Sequence, residues 1–286
     1  MRKIHYISLG AAIGVIALLY WGVNTIPPAK APAAASSSQQ PHDEAMHAQE
    51  SITPASTDSI ITASRKALPV HAQKEIAANE AKLKALTDSA AMVSLLEEQS
   101  KLWQEHKMFP MAGILRSRAA YLAHSEKKLN FAGQFFMELL RHEENPSVQM
   151  WEAQQAIDCF NGALAINPEN DTTKLALASG YIDGTREVMK GVGILREIVS
   201  KKPDHIPANL VLGRMSIQSG QFDKAIGRFE TVLKLEPENR EALYFLAEAY
   251  KGMGNTKKAK ELFEQCKKLV NNPEFSKEID NYINSF

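Results

Sequence analysis

From residue 70 to the end of the chain, apolar side chains recur at intervals of three and four, and no segment alternates with a period of two. That spacing places apolar groups on one stripe of a helix, so it predicts helices throughout and no strands. Ile76, Leu83 and Leu86 mark a first helix. It stops near Thr87-Asp88-Ser89, where short polar side chains cap the next helix, which carries Val93, Leu96 and Trp103. Phe275, Ile279, Tyr282, Ile283 and Phe286 keep helical spacing at the other end, predicting a closing helix over 272–286. The first 69 residues follow neither pattern.

A longer period overlies the short one. Gly213 and Ala247 lie 34 residues apart, as do Ala225 and Ala259, Phe229 and Phe263, and Pro203 and Pro237. Small residues on each of two helices let the backbones approach closely, and the aromatic fills the hole beside them. Proline ends the second helix, because it lacks the amide donor and clashes with the preceding turn. A 34-residue helix–turn–helix period of this composition resembles the tetratricopeptide-repeat family, bacterial membrane-anchored periplasmic type. One copy is Leu212-Gly213, Gly220, Phe222, Ala225, Phe229 and Pro237; the next is Leu246-Ala247, Tyr250, Gly254, Ala259 and Phe263.

Weaker copies precede these. Leu175, Ser179, Ile182, Gly191, Leu195 and Pro203 form one, with leucine in the aromatic place. An earlier copy pairs Leu129, Ala132, Gly133 and Phe136 with Ala156, Phe160, Ala163 and Pro168. Between its two halves lie about 11 more residues than the family spacing allows, or about three helical turns. Longer helices meeting near Asn145-Pro146 accommodate them. The first copy would use Ser100, Trp103, Phe109, Ala112 and Ala119, with Arg116 where an aromatic is expected. The resemblance covers about residues 90–270, most strongly 172–270. It implies an all-α fold, a superhelix of helical hairpins (an α-solenoid). The domains expected are divergent hairpins over 70–171, repeats over 172–271 and a capping helix over 272–286. Arrays of this kind need such caps to stay soluble.

Before the repeats the chemistry differs. Arg2 and Lys3 precede a stretch from Ile4 to Ile26 without acidic or basic residues apart from His5. About 20 apolar residues cross a bilayer core as a helix, and Tyr20-Trp21 suit its interface. Residues 1–26 are therefore expected to form an uncleaved transmembrane signal anchor with a cytoplasmic N-terminus. A cleaved signal peptide is the competing reading, with Ala33-Ala34-Ala35 as its small-residue site. Such peptides usually hold only about 7–15 apolar residues, which favours the anchor. No cysteine follows to carry a lipid. Residues 27–69, rich in Pro, Ala, Ser, Thr and Gln, are expected to be a disordered tether with a mean span of about 35 Å.

Charge narrows the function. Acidic and basic residues balance at 33 each, which gives no general pull toward nucleic acid. Cys159 and Cys266 have no metal-ligand spacing and read as small core residues. His42, Met46 and His47 lack the rigid frame a metal requires. The lysines at 257, 258, 260, 267 and 268 are interleaved with Glu261 and Glu264, as on a solvated helix face. With no phosphate loop, metalloprotease motif or nucleophile elbow, no catalytic role, cofactor or small-molecule substrate is expected.

The resemblance implies a concave surface lined by the first helix of each pair, binding protein or peptide partners. On that face the spacing leaves Ala176, Asp183, Leu210, Arg214, Ile217, Tyr244, Glu248 and Lys251. Leu210, Arg214, Ile217, Tyr244, Glu248 and Lys251 are the expected partner-binding residues, a mixture suited to a peptide. A carboxylate clamp of the kind some relatives carry lacks its lysines, although Asn209 and Arg214 approach the pattern. The expected protein is a scaffold held at the inner membrane, its repeats periplasmic, assisting assembly of an envelope complex. A periplasmic holding factor for exported chains and a homo-oligomer swapping its capping helix are the alternatives.

Overall fold

In the computed structural model, the described residues are 52–286, and they form thirteen helices with no strand among them. These are α1 (Thr57–Ala67), α2 (Val70–Ala85), α3 (Ser89–Glu105), α4 (Phe109–Leu122), α5 (Glu126–His142), α6 (Pro146–Ile166) and α7 (Asp171–Gly184). They continue with α8 (Val188–Lys201), α9 (Ile206–Gln218), α10 (Phe222–Leu235), α11 (Arg240–Gly252), α12 (Thr256–Val270) and α13 (Pro273–Ile283). The anchor expected over 1–26 lies outside the described residues. Among the described residues no helix is long and apolar enough to cross a membrane.

Polar side chains start these helices by bonding the amide groups that the first turn leaves free. Asp88 accepts from Ala91 N at 2.7 Å, Asn170 from Thr173 N at 3.1 Å, and Asn239 from Ala242 N at 2.9 Å. The turns inside three of the hairpins share one backbone solution. Gly220 and Gly254 take positive φ values of 70° and 79°, and Lys107 occupies the same turn of the first hairpin at 61°. Where the proline that follows a second helix is missing, a left-handed residue ends the helix instead, His124 at φ 44° and Asn271 at 48°.

Helices pair as α3–α4, α5–α6, α7–α8, α9–α10 and α11–α12, and each hairpin packs on the next. The pairing rests on small residues. A Cβ on Gly213 would fall 2.5 Å from the Phe229 ring, and one on Gly133 would fall 2.5 Å from Phe160. In the first hairpin Ser100 replaces the glycine and donates its hydroxyl to Ala112 O at 2.8 Å across the helix pair. Phe136, Phe160, Phe229 and Phe263 are fully buried, so the repeated aromatic sits in the core of its hairpin. At the C-terminal end α13 covers α11 and α12 with Phe275, Ile279 and Ile283.

The extra residues near Asn145 lengthen α6 to 21 residues, against 14 in α8 and in α10. That length has a use. Ala55 N donates to Ser147 O at 2.8 Å, Trp151 Nε1 donates to Thr57 Oγ1 at 3.0 Å, and Ala55 and Ile60 pack on the cluster around Trp151 and Phe136. The tether expected to be disordered to residue 69 is therefore helical over Thr57–Ala67 and docked on the hairpins. Its helix is capped by Ser56, carries Asp58 in the first turn and Arg65 and Lys66 in the last, and so matches the helix dipole. Ile60 and Ile61 then supply anchors to two neighbouring clusters.

Candidate protein-binding face

The first helices of successive hairpins touch one another directly, α5 with α7 and α9 with α11. The six residues expected to bind a partner lie on two of these helices, α9 and α11, in two groups with different surroundings. On α9, Leu210 and Ile217 are half-buried against the C-terminal core, and Arg214 donates to Glu241 Oε1 at 2.6 Å. The Arg214 guanidinium also lies 5.9 Å from the Phe245 ring, which stacks on Phe229. On α11, Tyr244 meets both Phe245 and Phe263 edge-on with ring centroids 5.4 Å away.

Glu248 and Lys251 face α13. Lys251 Nζ donates to the Tyr282 hydroxyl and stands 3.9 Å from the Tyr282 ring and 4.8 Å from that of Phe286. Burial pushes the Glu248 carboxyl up, against the opposing pull of the Tyr282 hydrogen bond and of Lys251. The capping helix thus draws Tyr244, Glu248 and Lys251 into an internal cluster and leaves Leu210, Arg214 and Ile217 nearer the open face.

A groove opens further toward the N-terminus, between α5 and α7. It has a volume of about 470 Å³ and is lined by Phe131, Phe135, Met137, Glu138, Arg141 and Ala176, among others. Phe131 is 58% exposed, an unusual state for a phenylalanine. Glu138 is engaged by Arg141 and His142, so the groove's own acid is already neutralised. Burial raises the carboxyl of Asp183, on α7, while Arg214 and Arg141 pull it down. Spacing had placed Ala176 and Asp183 on this face, but not Phe131, Phe135, Glu138 or Arg141. The signal available was Phe131 itself, a large aromatic off the buried stripe of Leu129, Ala132, Gly133 and Phe136.

The remaining candidates read as packing. Cys159 and Cys266 are buried, and burial pushes their thiols up to about 12 and about 11, respectively, which removes the reactive thiolate. Lys258 pairs with Glu261 as expected of a solvated helix face, whereas Lys267, largely covered, pairs with Glu264 and also with Asp280 of α13. Among the described residues no group of three or more His, Cys, Asp or Glu is placed to hold a metal.

The Tetratricopeptide repeat family model matches residues 216–276, which run from the end of α9 through α12 into α13. The chain carries tetratricopeptide repeats. Anaphase-promoting complex subunit 3 of Dictyostelium discoideum is 28% identical over 97 residues, 34% of this chain and 10% of that protein. The chain thus spans about a tenth of that relative's length. Among solved structures, MamA of Desulfovibrio magneticus RS-1 is 17% identical with a TM-score of 0.49, over 63% of this chain and 95% of that one. A thermophilic TPR protein of Thermus thermophilus, TTC0263, is 17% identical with a TM-score of 0.45, over 68% and 97%. YrrB, described as a TPR protein with an unusual peptide-binding site, is 16% identical with a TM-score of 0.47, over 65% and 91%.

Proposed function

We propose that this protein is a non-catalytic scaffold that holds a segment of a partner protein against the shared face of its first helices. The observation carrying this reading is the groove between α5 and α7, where Phe131 stays exposed beside Met137 and Ala176. Exposed aromatic surface in a concavity with a polar rim is the usual composition of a peptide site. The Leu210, Arg214 and Ile217 surface continues the same face. Residues 1–26 anchor the scaffold in the inner membrane with its repeats on the periplasmic side, a reading supported by their uncharged length behind Arg2 and Lys3. Tethering raises the local concentration of the repeats at a membrane assembly, and so favours a role in building an envelope complex.

Crosslinking and pull-down from native membranes tests this with the full-length protein and two variants. One carries Phe131→Ala and Gln134→Ala in the groove, the other Leu210→Ala and Arg214→Ala. One or two stoichiometric partners, lost in the groove variant and weakened in the other, are expected. Partners retained in full by both would overturn the assignment of this face.

A further inference from the structure

The repeated aromatic of the second helices is replaced at two positions, by Leu195 in α8 and by Arg116 in α4. Phe229, at that position in α10, stacks on Phe245 with a centroid separation of 6.0 Å, and Phe245 lies two residues before the small contact residue Ala247. At the junction of α4 and α5, Arg116 takes the place of Phe229. Phe131, two residues before Gly133, takes that of Phe245. The Arg116 guanidinium sits 4.9 Å from the Phe131 centroid and 4.3 Å from that of Phe135. These two rings also form one wall of the groove.

A guanidinium brings five donors in a rigid fork. Arg116 is half-buried, and the hydrogen bond it makes is to Gln104 Oε1 at 3.2 Å. Among the described residues no carboxylate lies within 4 Å of it. Glu97, whose charge acts on it, is held by Lys128 at 2.8 Å, and Glu138 is held by Arg141 and His142. Stacking on aromatic faces occupies the plane of the guanidinium and leaves its N–H edge to take an acceptor. A half-buried arginine with an underused charged fork, next to an exposed phenylalanine, complements an anion attached to an apolar group.

Taking the groove to be a peptide site, as proposed above, we infer that it selects partner segments in which an Asp or Glu neighbours an aromatic or branched apolar residue. Arg116 takes the carboxylate, and the Phe131–Phe135 wall takes the apolar neighbour. The acid requirement is what separates this site from a merely greasy groove: an apolar peptide alone would leave the Arg116 donors desolvated and unmatched.

The test is selection of a random phage-displayed peptide library on the full chain, followed by fluorescence anisotropy with the enriched peptide. The comparison set is Arg116→Met, which keeps an unbranched apolar side chain without the guanidinium, Phe131→Ala, and the control Arg196→Met. Thermal unfolding by circular dichroism verifies that each variant is folded. Enriched peptides are expected to pair an acid with an apolar residue. Arg116→Met should weaken the enriched peptide by about tenfold and abolish the acid preference. Phe131→Ala should relax only the apolar position, and Arg196→Met should change neither. Enriched peptides without an acid, or an acid preference that survives in Arg116→Met, overturn the inference while leaving peptide binding intact. Failure of the unaltered chain to enrich any peptide overturns the peptide-site reading and this inference with it.

Discussion

The indole of Trp151 donates to the hydroxyl of Thr57 at 3.0 Å, a bond between residues 94 positions apart that fastens α1 to the lengthened helix α6. Trp151 is otherwise buried against Phe136 in an edge-on contact with ring centroids 5.7 Å apart. Thr57→Val keeps the shape of the side chain and removes the acceptor. It should lower stability by about 1 kcal/mol, the usual net worth of one hydrogen bond. Hydrogen exchange should quicken first in residues 57–67. Unchanged exchange there would mean that α1 is held by its other contacts, Ile60, Ile61 and the Ala55–Ser147 bond, without need of the indole.

Close helix approach makes Gly213 and Gly227 behave in opposite ways. A methyl group at 213 would intrude on the Phe229 ring, whereas one at 227 meets nothing within 4 Å. Gly213→Ala should destabilise by about 1–3 kcal/mol through overpacking. Gly227→Ala, inside α10, should stabilise by about 0.5–1 kcal/mol by restricting the unfolded chain. Chemical denaturation of both variants checks the pair, and a similar response from both would contradict the packing described.

Lys107 occupies the turn that Gly220 and Gly254 occupy in later hairpins, with its backbone in the left-handed region. A side chain there is strained by its Cβ, and glycine is not. Lys107→Gly should therefore raise stability by about 1 kcal/mol, visible as a higher midpoint in thermal unfolding. A lower midpoint would show that the lysine side chain makes a compensating contact.

The 34-residue interval between Phe229 and Phe263 was enough to read the C-terminal hairpins, because close packing there sets a small residue and an aromatic at fixed places. The same interval made about 11 residues between Phe136 and Ala156 stand out as surplus, and they lengthen α5 and α6. What the surplus receives was hidden. Ile60 and Ile61 are two apolar residues in a long polar stretch, and a windowed reading dilutes them below the density that marks a buried helix. Arg116 was visible only as a departure from the pattern. Its stacking on Phe131 and Phe135 depends on the register of two hairpins, which spacing within one hairpin does not specify. On the C-terminal side, Tyr244, Glu248 and Lys251 lie on α11, the first helix of their hairpin. That Tyr282 and Phe286 would close over them followed from the packing of α13, not from any local signal.

Glu152 gives the array a pH dependence of definite sign. Its side chain is buried, and Oε2 has no hydrogen-bond partner among the described residues. Burial, reinforced by the charge of Glu143 in the loop before α6, pushes its carboxyl up to about 8 from an ordinary value of 4.5. Below the ordinary value the group is protonated whether the chain is folded or not, and ionisation contributes nothing. As pH rises toward 8 the unfolded chain releases the proton while the folded chain keeps it, so stability falls through that interval and the loss is complete above it. Each pKa unit corresponds to about 1.4 kcal/mol, so the full effect is on the order of a few kcal/mol. Glu152→Gln cannot ionise and should remove this slope. Urea denaturation at about pH 5 and about pH 9 should show the variant gaining on the unaltered chain as pH rises. A difference between the two chains that is the same at both pH values would mean that Glu152 is already ionised in the fold, with a partner or solvent reaching Oε2.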